Sequence, residues 1–218
     1  VSESRADARA PDRGESRGER KERTRRAILD AALRLSESSS LAALSLRQVA
    51  KEVGVVPTAF YRHFDSLDAL GLELVDESFV SLRAMLRDVR RSDPALDDII
   101  DSSVQILDEH VKRQRAHFGF IARERTAGPA PVRQAIRHEI QLCERELAAD
   151  LTRLPGIEVW SAEDLRVLSN LIVMAMVATA ENILAAGGRP DAEKQATEQA
   201  RVQLRIVLFG AVNWRSKR

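Results

Sequence analysis

Cysteine is nearly absent. Cys143 stands alone in 218 residues, so no internal disulfide can form and the chain fits a reducing compartment. Cys143 falls in an apolar helical series and reads as a packed core thiol. An excess of charge of one sign is missing too. The 34 Lys and Arg face 33 Asp and Glu, net +1, which excludes a histone-like binding mode driven by bulk charge. Long hydrophobic runs are lacking: the longest uncharged apolar-rich stretch, Val167–Ala180, covers 14 residues, short of the ~20 that span a bilayer. No apolar core of an export signal stands near the N-terminus. The expected location is the cytoplasm, with no membrane partner. There is no Gly-x-Ser-x-Gly elbow, no nucleophile with a nearby base and no phosphate-binding glycine loop, so catalysis is not expected. His110, His117 and His138 have no Cys, His or carboxylate neighbours at metal-ligand spacing, so neither a metal site nor a cofactor is expected. Period-two alternation is missing as well, which leaves no strand to assign.

What is present is helical and unevenly charged. Residues 1–64 carry 13 Lys and Arg against 9 Asp and Glu, net +4, and the remainder 21 against 24, net −3. A basic head on a mildly acidic body suits a chain of which one end meets an anion. Residues 1–19 mix Arg, acids, Ser and Gly with almost nothing apolar and read as a disordered arm. From about Arg20, Ile28, Ala31, Ala32 and Leu35 mark a first helix that frays at Ser38–Ser40. Ser45, with Gln48 three places on, forms a capping box ahead of the stripe Leu46, Val49, Ala50 and Val53, and Gly54 ends that second helix. Pro57 suits the first turn of a third, over 57–64. Longer apolar series predict six more helices: 72–89, 96–111, 117–126, 132–154, 162–186 and 191–213, the last with Asp191 as its N-cap. The prediction is an all-α fold of about nine helices: an N-terminal helix-turn-helix domain at 20–66 and a helical ligand-binding and dimerisation domain at 67–218.

The penultimate helix, LSNLIVMAMVATAENIL, is apolar nearly all round, and the last is similar near VQLRIVLFGAV. A helix without a polar face must be covered on every side. Either a second subunit covers these two helices, giving a homodimer, or both lie at the centre of a monomer.

The stretch LSLRQVAKEVGVVPTAFYRHF, 44–64, carries the functional signal. A capped helix, a glycine turn and a short helix succeed one another. Val56, Phe60 and Phe64 are placed to point inward, with Thr58, Tyr61 and Arg62 on the opposite side. Exposing a hydroxyl, a phenol and a guanidinium together does little for packing. It suits a helix entering the major groove of double-stranded DNA, where short side chains approach bases and the larger ones reach phosphate. The competing reading is an amphipathic hairpin whose Tyr61 and His63 cap a small core.

The segment LSLRQVAKEVGVVPTAFYRHFDSLDAL resembles the DNA-binding signature of the TetR family of bacterial regulators. The runs AFYRHFDSLDALGLELVDES, RERTAG and VQLRIVLFGAVNW are similar to its fatty-acid biosynthesis and desaturase repressors. The resemblance implies that Pro57, Thr58 and Ala59 approach bases, and that Tyr61, Arg62 and His63 occupy the phosphate-contacting aromatic, variable and histidine positions. It also implies backbone contacts from Ser45 and Arg47, where free helix N–H groups favour phosphate independently, and from Thr24 and Arg25. Leu67 departs from the pattern, standing where many relatives carry a Lys. Arg5, Arg9, Arg13, Arg17 and Arg20 of the arm are placed to compensate. The implied partner is a palindromic operator bound by two subunits.

For the effector, the resemblance implies a long-chain fatty acyl-CoA. Apolar faces at 99–111, 132–154 and 165–186 suit the walls of a tunnel, with Leu107, Val111, Phe118, Ile121, Ile140, Met174, Val177 and Ala178 as lining. Met174 and Met176 also fit plain core. Arg123 and Arg125, flanking Glu124, either meet CoA phosphates at the mouth or form an internal Arg–Glu bridge. A different hydrophobic inducer, controlling efflux or catabolic genes, is the alternative.

Overall fold

Ser16 opens the first helix with a complete capping box: its hydroxyl accepts from the Glu19 N–H at 3.1 Å and the Glu19 carboxylate accepts from the Ser16 N–H at 2.7 Å. In this computed structural model, which describes residues 16–92, 98–153 and 160–215, α1 therefore starts at Arg17 and runs Arg17–Leu35. The arm expected to reach residue 19 ends sooner, because Ser16 and Glu19 satisfy two otherwise unpaired donors; residues 1–15 of it lie outside the described residues. After a 3-10 turn at Leu41–Ala43, Ser45 and Gln48 cap α2, Leu46–Val53, as the sequence predicts, and Gly54 ends it at φ 76°, a conformation that suits a residue without Cβ.

The third helix is shorter than expected. α3 covers Pro57–Phe60 alone, and residues 61–63 continue as turns, with Arg62 N–H on Ala59 O and His63 N–H on Phe60 O. α4 (Leu67–Ser92), α5 (Ile99–Arg113), α6 (Arg115–Ala127), α7 (Ala130–Leu151), α8 (Ala162–Ala186) and α9 (Pro190–Asn213) follow. The described residues hold nine α-helices and no strand, so the chain is all-α. Positions 96 and 154, where two of the predicted helices begin and end, lie outside the described residues. Asp191 is not the last N-cap: Arg189 holds that place and Pro190 is the first helical residue, its missing N–H costing nothing there.

One core runs through the joint between head and body. Ile28, Leu29, Ala32, Val49, Phe60 and Phe64 of the head pack in the same cluster as Leu70, Leu74, Val75 and Phe79 of α4, Phe120 of α6 and Val132 and Ile136 of α7. The first turns of α4 thus belong to the head's core, beyond the boundary expected at residue 66. Farther along, the apolar residues divide into three smaller clusters, centred on Leu107, Val111 and Phe118, on Leu165 and Leu168, and on Val104 and Leu204. They stand around a cavity.

α8 packs against α5, α6, α7 and α9. Its length and composition would let it cross a membrane, which the count of 14 uncharged residues did not anticipate. Within this chain Val167 and Leu171 of α8 and Val202, Ile206, Phe209 and Val212 of α9 remain at least half exposed. They form an apolar strip, and Ile206, Phe209 and Val212 of it also line the open side of the cavity between the helices.

Candidate DNA-reading surface and effector cavity

α2 and α3 pack against each other and leave most of the predicted head residues exposed. Phe60 and Phe64 are buried and hold the turn in place, their rings 5.7 Å apart. Pro57, Thr58, Tyr61 and Arg62 are exposed, and Ala59 and His63 half-buried. Tyr61 meets Phe60 edge-on at 6.0 Å, so its phenol is presented outward from a fixed base. Arg47 is exposed on α2, and Ser45 is committed to its cap.

Val56 differs from the reading above. It is 64% exposed because it precedes α3 with extended backbone, and helical spacing counted back from Phe60 does not apply to it. It joins Thr58 and Tyr61 on the outer surface.

Thr24 and Arg25 are turned to other tasks in the free protein. The Thr24 hydroxyl donates to Arg20 O at 2.9 Å. The Arg25 guanidinium pairs through both terminal nitrogens with Glu73 of α4 and lies 4.9 Å above the Phe64 ring, a cation–π contact. Burial first, and then Lys21, Arg25 and Arg62, hold His63 below the ordinary imidazole range. These cations gather at the end of α3, with Lys21 reaching the site from α1. Nothing local in the sequence announced that approach.

In the body, α4–α9 line a half-open cavity of about 1130 Å³, somewhat above the usual size of small-molecule sites. Of the ten residues expected in its wall, Leu107, Phe118, Ile121, Arg125, Ile140 and Val177 line it. Val111 does not: it is fully buried in the cluster with Leu107 and Phe118. Arg123 is instead turned to the head, donating to Glu37 O at 2.6 Å. Met174 and Ala178 lie away from the cavity and Met176 takes the lining position. The apolar periodicity of α8 is continuous, so it could not distinguish these faces. Phe79 and Met85 of α4 and Leu204 and Phe209 of α9 were not foreseen, since only the tertiary arrangement brings those helices to the cavity; Cys143 lies on the α7 face expected there, though it reads in the sequence as a core thiol. Burial pushes the Cys143 thiol up to about 11.

Polar groups are few in this wall. Arg125 is bridged to Glu181 of α8 at 2.6 Å, an Arg–Glu pair within the body and not across its joint with the head. Arg205 pairs with Asp101 at 3.2 Å.

Between cavity and head stands α6. Phe118, Ile121, Ala122 and Arg125 face the cavity. Glu124, fully buried, faces the opposite way: its Oε1 accepts from the Leu41 N–H at 3.0 Å and its Oε2 lies 3.0 Å from the Ser40 hydroxyl. A Cβ on Gly128 would come within 2.6 Å of both Glu124 Oε2 and Glu124 O, so only glycine lets the chain turn there. In the sequence Glu124 shows only as the neighbour of two arginines. No group of three His, Cys, Asp or Glu that could hold a metal is found among the described residues.

Comparison with known proteins agrees with this architecture. Residues 28–74 match the model of the bacterial regulatory proteins of the tetR family, and residues 96–206 match the tetracyclin repressor-like C-terminal domain. Among solved structures, the fatty acid degradation regulator FadR from Bacillus halodurans is similar at a TM-score of 0.66 with 12% identity, over 83% of this chain and 94% of that one. NalD, the secondary repressor of the MexAB-OprM multidrug efflux pump in Pseudomonas aeruginosa, is similar at 0.65 with 20% identity, over 86% and 96%. A TetR-family transcriptional regulator from Streptomyces coelicolor is similar at 0.64 with 20% identity, over 87% and 96%.

Proposed function

The chain belongs to the tetR family of bacterial regulatory proteins, as a DNA-binding transcriptional regulator, and from that premise we propose that it is a cytoplasmic, homodimeric repressor of lipid genes gated by a long-chain fatty acyl-CoA. Two copies of the Pro57–Phe60 helix read a palindromic operator, Thr58 at the bases and Tyr61 and Arg62 at phosphate. A second copy of the chain covers the strip of Val167, Leu171, Val202, Ile206, Phe209 and Val212, which is too apolar to be left to water. The effector lies in the body, and the observation that carries this reading is the large, sparsely polar cavity between α4 and α9.

Burial of an acyl chain supplies the affinity. Each methylene contributes about 0.8 kcal/mol, so ten contribute about 8 kcal/mol, on the order of a micromolar dissociation constant before ordering costs. The occupied cavity presses on Phe118 and Ile121, and α6 carries that displacement through Glu124 and Arg123 to the residues joining α1 and α2. A coupling of about 1–3 kcal/mol is typical of such linkage. Delipidated protein should therefore melt higher with long-chain acyl-CoA and not with acetyl-CoA. At a hundredfold excess over the dissociation constant the gain is about 2.7 kcal/mol, or roughly 5–10 °C for a chain of this size. No response to any chain length would overturn the acyl effector and leave the DNA-reading surface untouched.

One observation favours a second reading. The arginines in the wall are already paired, Arg125 with Glu181 and Arg205 with Asp101, which leaves little unneutralised charge for CoA phosphates. An uncharged hydrophobic inducer, as for a regulator of efflux, fits those pairs undisturbed. Native mass spectrometry of protein from its own host distinguishes the two by ligand mass.

A further inference from the structure

Among the described residues, seven of the eleven large apolar side chains left exposed stand on α8, on α9 or just after it. They are the six of the strip and Trp214, each 50–79% exposed. α8 and α9 pack against each other, and Val202, Ile206, Phe209 and Val212 recur at i, i+4, i+7 and i+10, along one side of α9. The uncovered area of the seven is roughly 800 Å², above the largest apolar patch of a typical monomer and close to one partner's share of a standard interface. Glu163, one turn before Val167, and Arg166 beside it are exposed as well. Charges of opposite sign at the edge of such a strip suit a second copy, which meets them in reversed order across a two-fold axis.

Three residues of the strip have a second duty. Ile206, Phe209 and Val212 also line the cavity, with Arg205 and Gly210 between them. A side chain that faces water in the single chain and also borders the cavity marks the cavity's mouth. An apolar ligand held there by one chain alone would stay wet on that side and forgo part of its burial. Whatever covers the strip covers the mouth too.

We propose that the partner subunit closes each cavity, so that the effector site is complete only in the dimer. The inference rests on the reading of the α8–α9 strip as the homodimer interface. Linkage then runs both ways: whatever affinity the effector gains from the partner, the dimer gains from the effector. At chain concentrations near the dimer's dissociation constant, the effector sets how many heads are paired.

Cys143 reports on the mouth whatever the effector is, because it lines the cavity and is the chain's sole thiol. The delipidated full chain is diluted through its monomer–dimer transition, followed by analytical ultracentrifugation. At each concentration the labelling of Cys143 by iodoacetamide at pH 8 is timed by mass spectrometry. Labelling should be severalfold faster in the monomer, and its rate should follow the monomer fraction. Val202→Glu and Val167→Glu, neither in the cavity wall, should label at the monomer rate at every concentration while keeping wild-type helical content. Palmitoyl-CoA should slow labelling and lower the dimer's dissociation constant by about 5–150-fold, the usual range of coupled sites. One labelling rate for monomer and dimer overturns the closure and leaves the interface standing, as does palmitoyl-CoA that protects Cys143 without tightening the dimer. Two glutamate variants that dimerise like wild type overturn the interface and the closure together. Palmitoyl-CoA that protects Cys143 in neither form overturns the acyl effector alone, and the dilution series still decides the closure.

Discussion

Replacing Glu124 tests whether the joint between head and body is held by a protonated acid. The Ser40 hydroxyl lies 3.0 Å from Glu124 Oε2 and 2.9 Å from the Ala127 carbonyl oxygen. It has one proton and faces two acceptors. A protonated Glu124 resolves the conflict: Oε2–H donates to Ser40 Oγ, Ser40 donates to Ala127 O, and Oε1 still accepts from the Leu41 N–H. Burial supplies the tendency, pushing the carboxyl above its usual range against the opposing pull of Leu41, Ser40 and Arg123. A glutamine reproduces that pattern, carbonyl to Leu41 and amide N–H to Ser40. An alanine leaves the Leu41 N–H buried and unpaired, at about 1–3 kcal/mol. Glu124→Ala should therefore lose about 2 kcal/mol, or roughly 4–8 °C of melting temperature, whereas Glu124→Gln should stay within about 1 kcal/mol of wild type. Urea unfolding across pH adds a second readout. The native state keeps a proton that the unfolded chain has lost, so wild-type stability falls as pH rises from the ordinary carboxylate value of 4.5 through the raised one. Glu124→Gln should lack that fall. A glutamine as damaging as alanine, or the same pH slope in both proteins, would refute the protonated acid.

Three further expectations concern the surfaces and the cavity. Thr58→Ala should weaken binding unevenly across operator variants and Tyr61→Phe evenly, as measured by competition among duplexes; equal effects on sequence preference contradict the division into base and phosphate contacts. Cys143, its thiol pushed up from 9.0 to about 11, should have a thiolate fraction about a hundredfold below that of an ordinary cysteine. It should alkylate slowly at pH 8 by mass spectrometry and more slowly still with the cavity filled, and labelling at the rate of a small thiol would contradict its burial. Val202→Glu, on the apolar strip and away from the cavity wall, should convert a dimer to a folded monomer in light scattering; a dimer of unchanged affinity removes the strip from the interface.

Legibility in the sequence followed the range of the interaction. Caps are local: Ser45 with Gln48, and Gly54 after them, announced α2 to the residue, and the apolar series announced the later helices but not where α3 ends or α4 begins. The burial of Phe60 and Phe64 was legible for the same reason. Val56 was misplaced because helical spacing was extended to a residue outside the helix. The ligand wall was half legible, since an apolar face states that a residue is covered and not by what. That is why Val111 went to the core, and Leu204 and Phe209 to the cavity. Arg25 with Glu73, Arg125 with Glu181 and Glu124 with Leu41 join positions 48, 56 and 83 residues apart. No periodicity reports such pairs; only the packed helices do.

The two-faced character of α6 has a consequence for how such a protein can diverge. Within the span from Phe118 to Arg125, residues that touch the cavity alternate with residues that grip the head, and Glu124 sits between Arg123 and Arg125 with no spacer. A change here that admits a new ligand also shifts the grip, so selection for a new taste would be charged with a change in responsiveness. Ile140 and Cys143 on α7, or Ile100 and Ser103 on α5, line the same cavity without holding the residues that join α1 and α2. Inherited variation in what the protein senses should accumulate on those helices, while α6 drifts slowly and keeps the sensing and the answering parts in step.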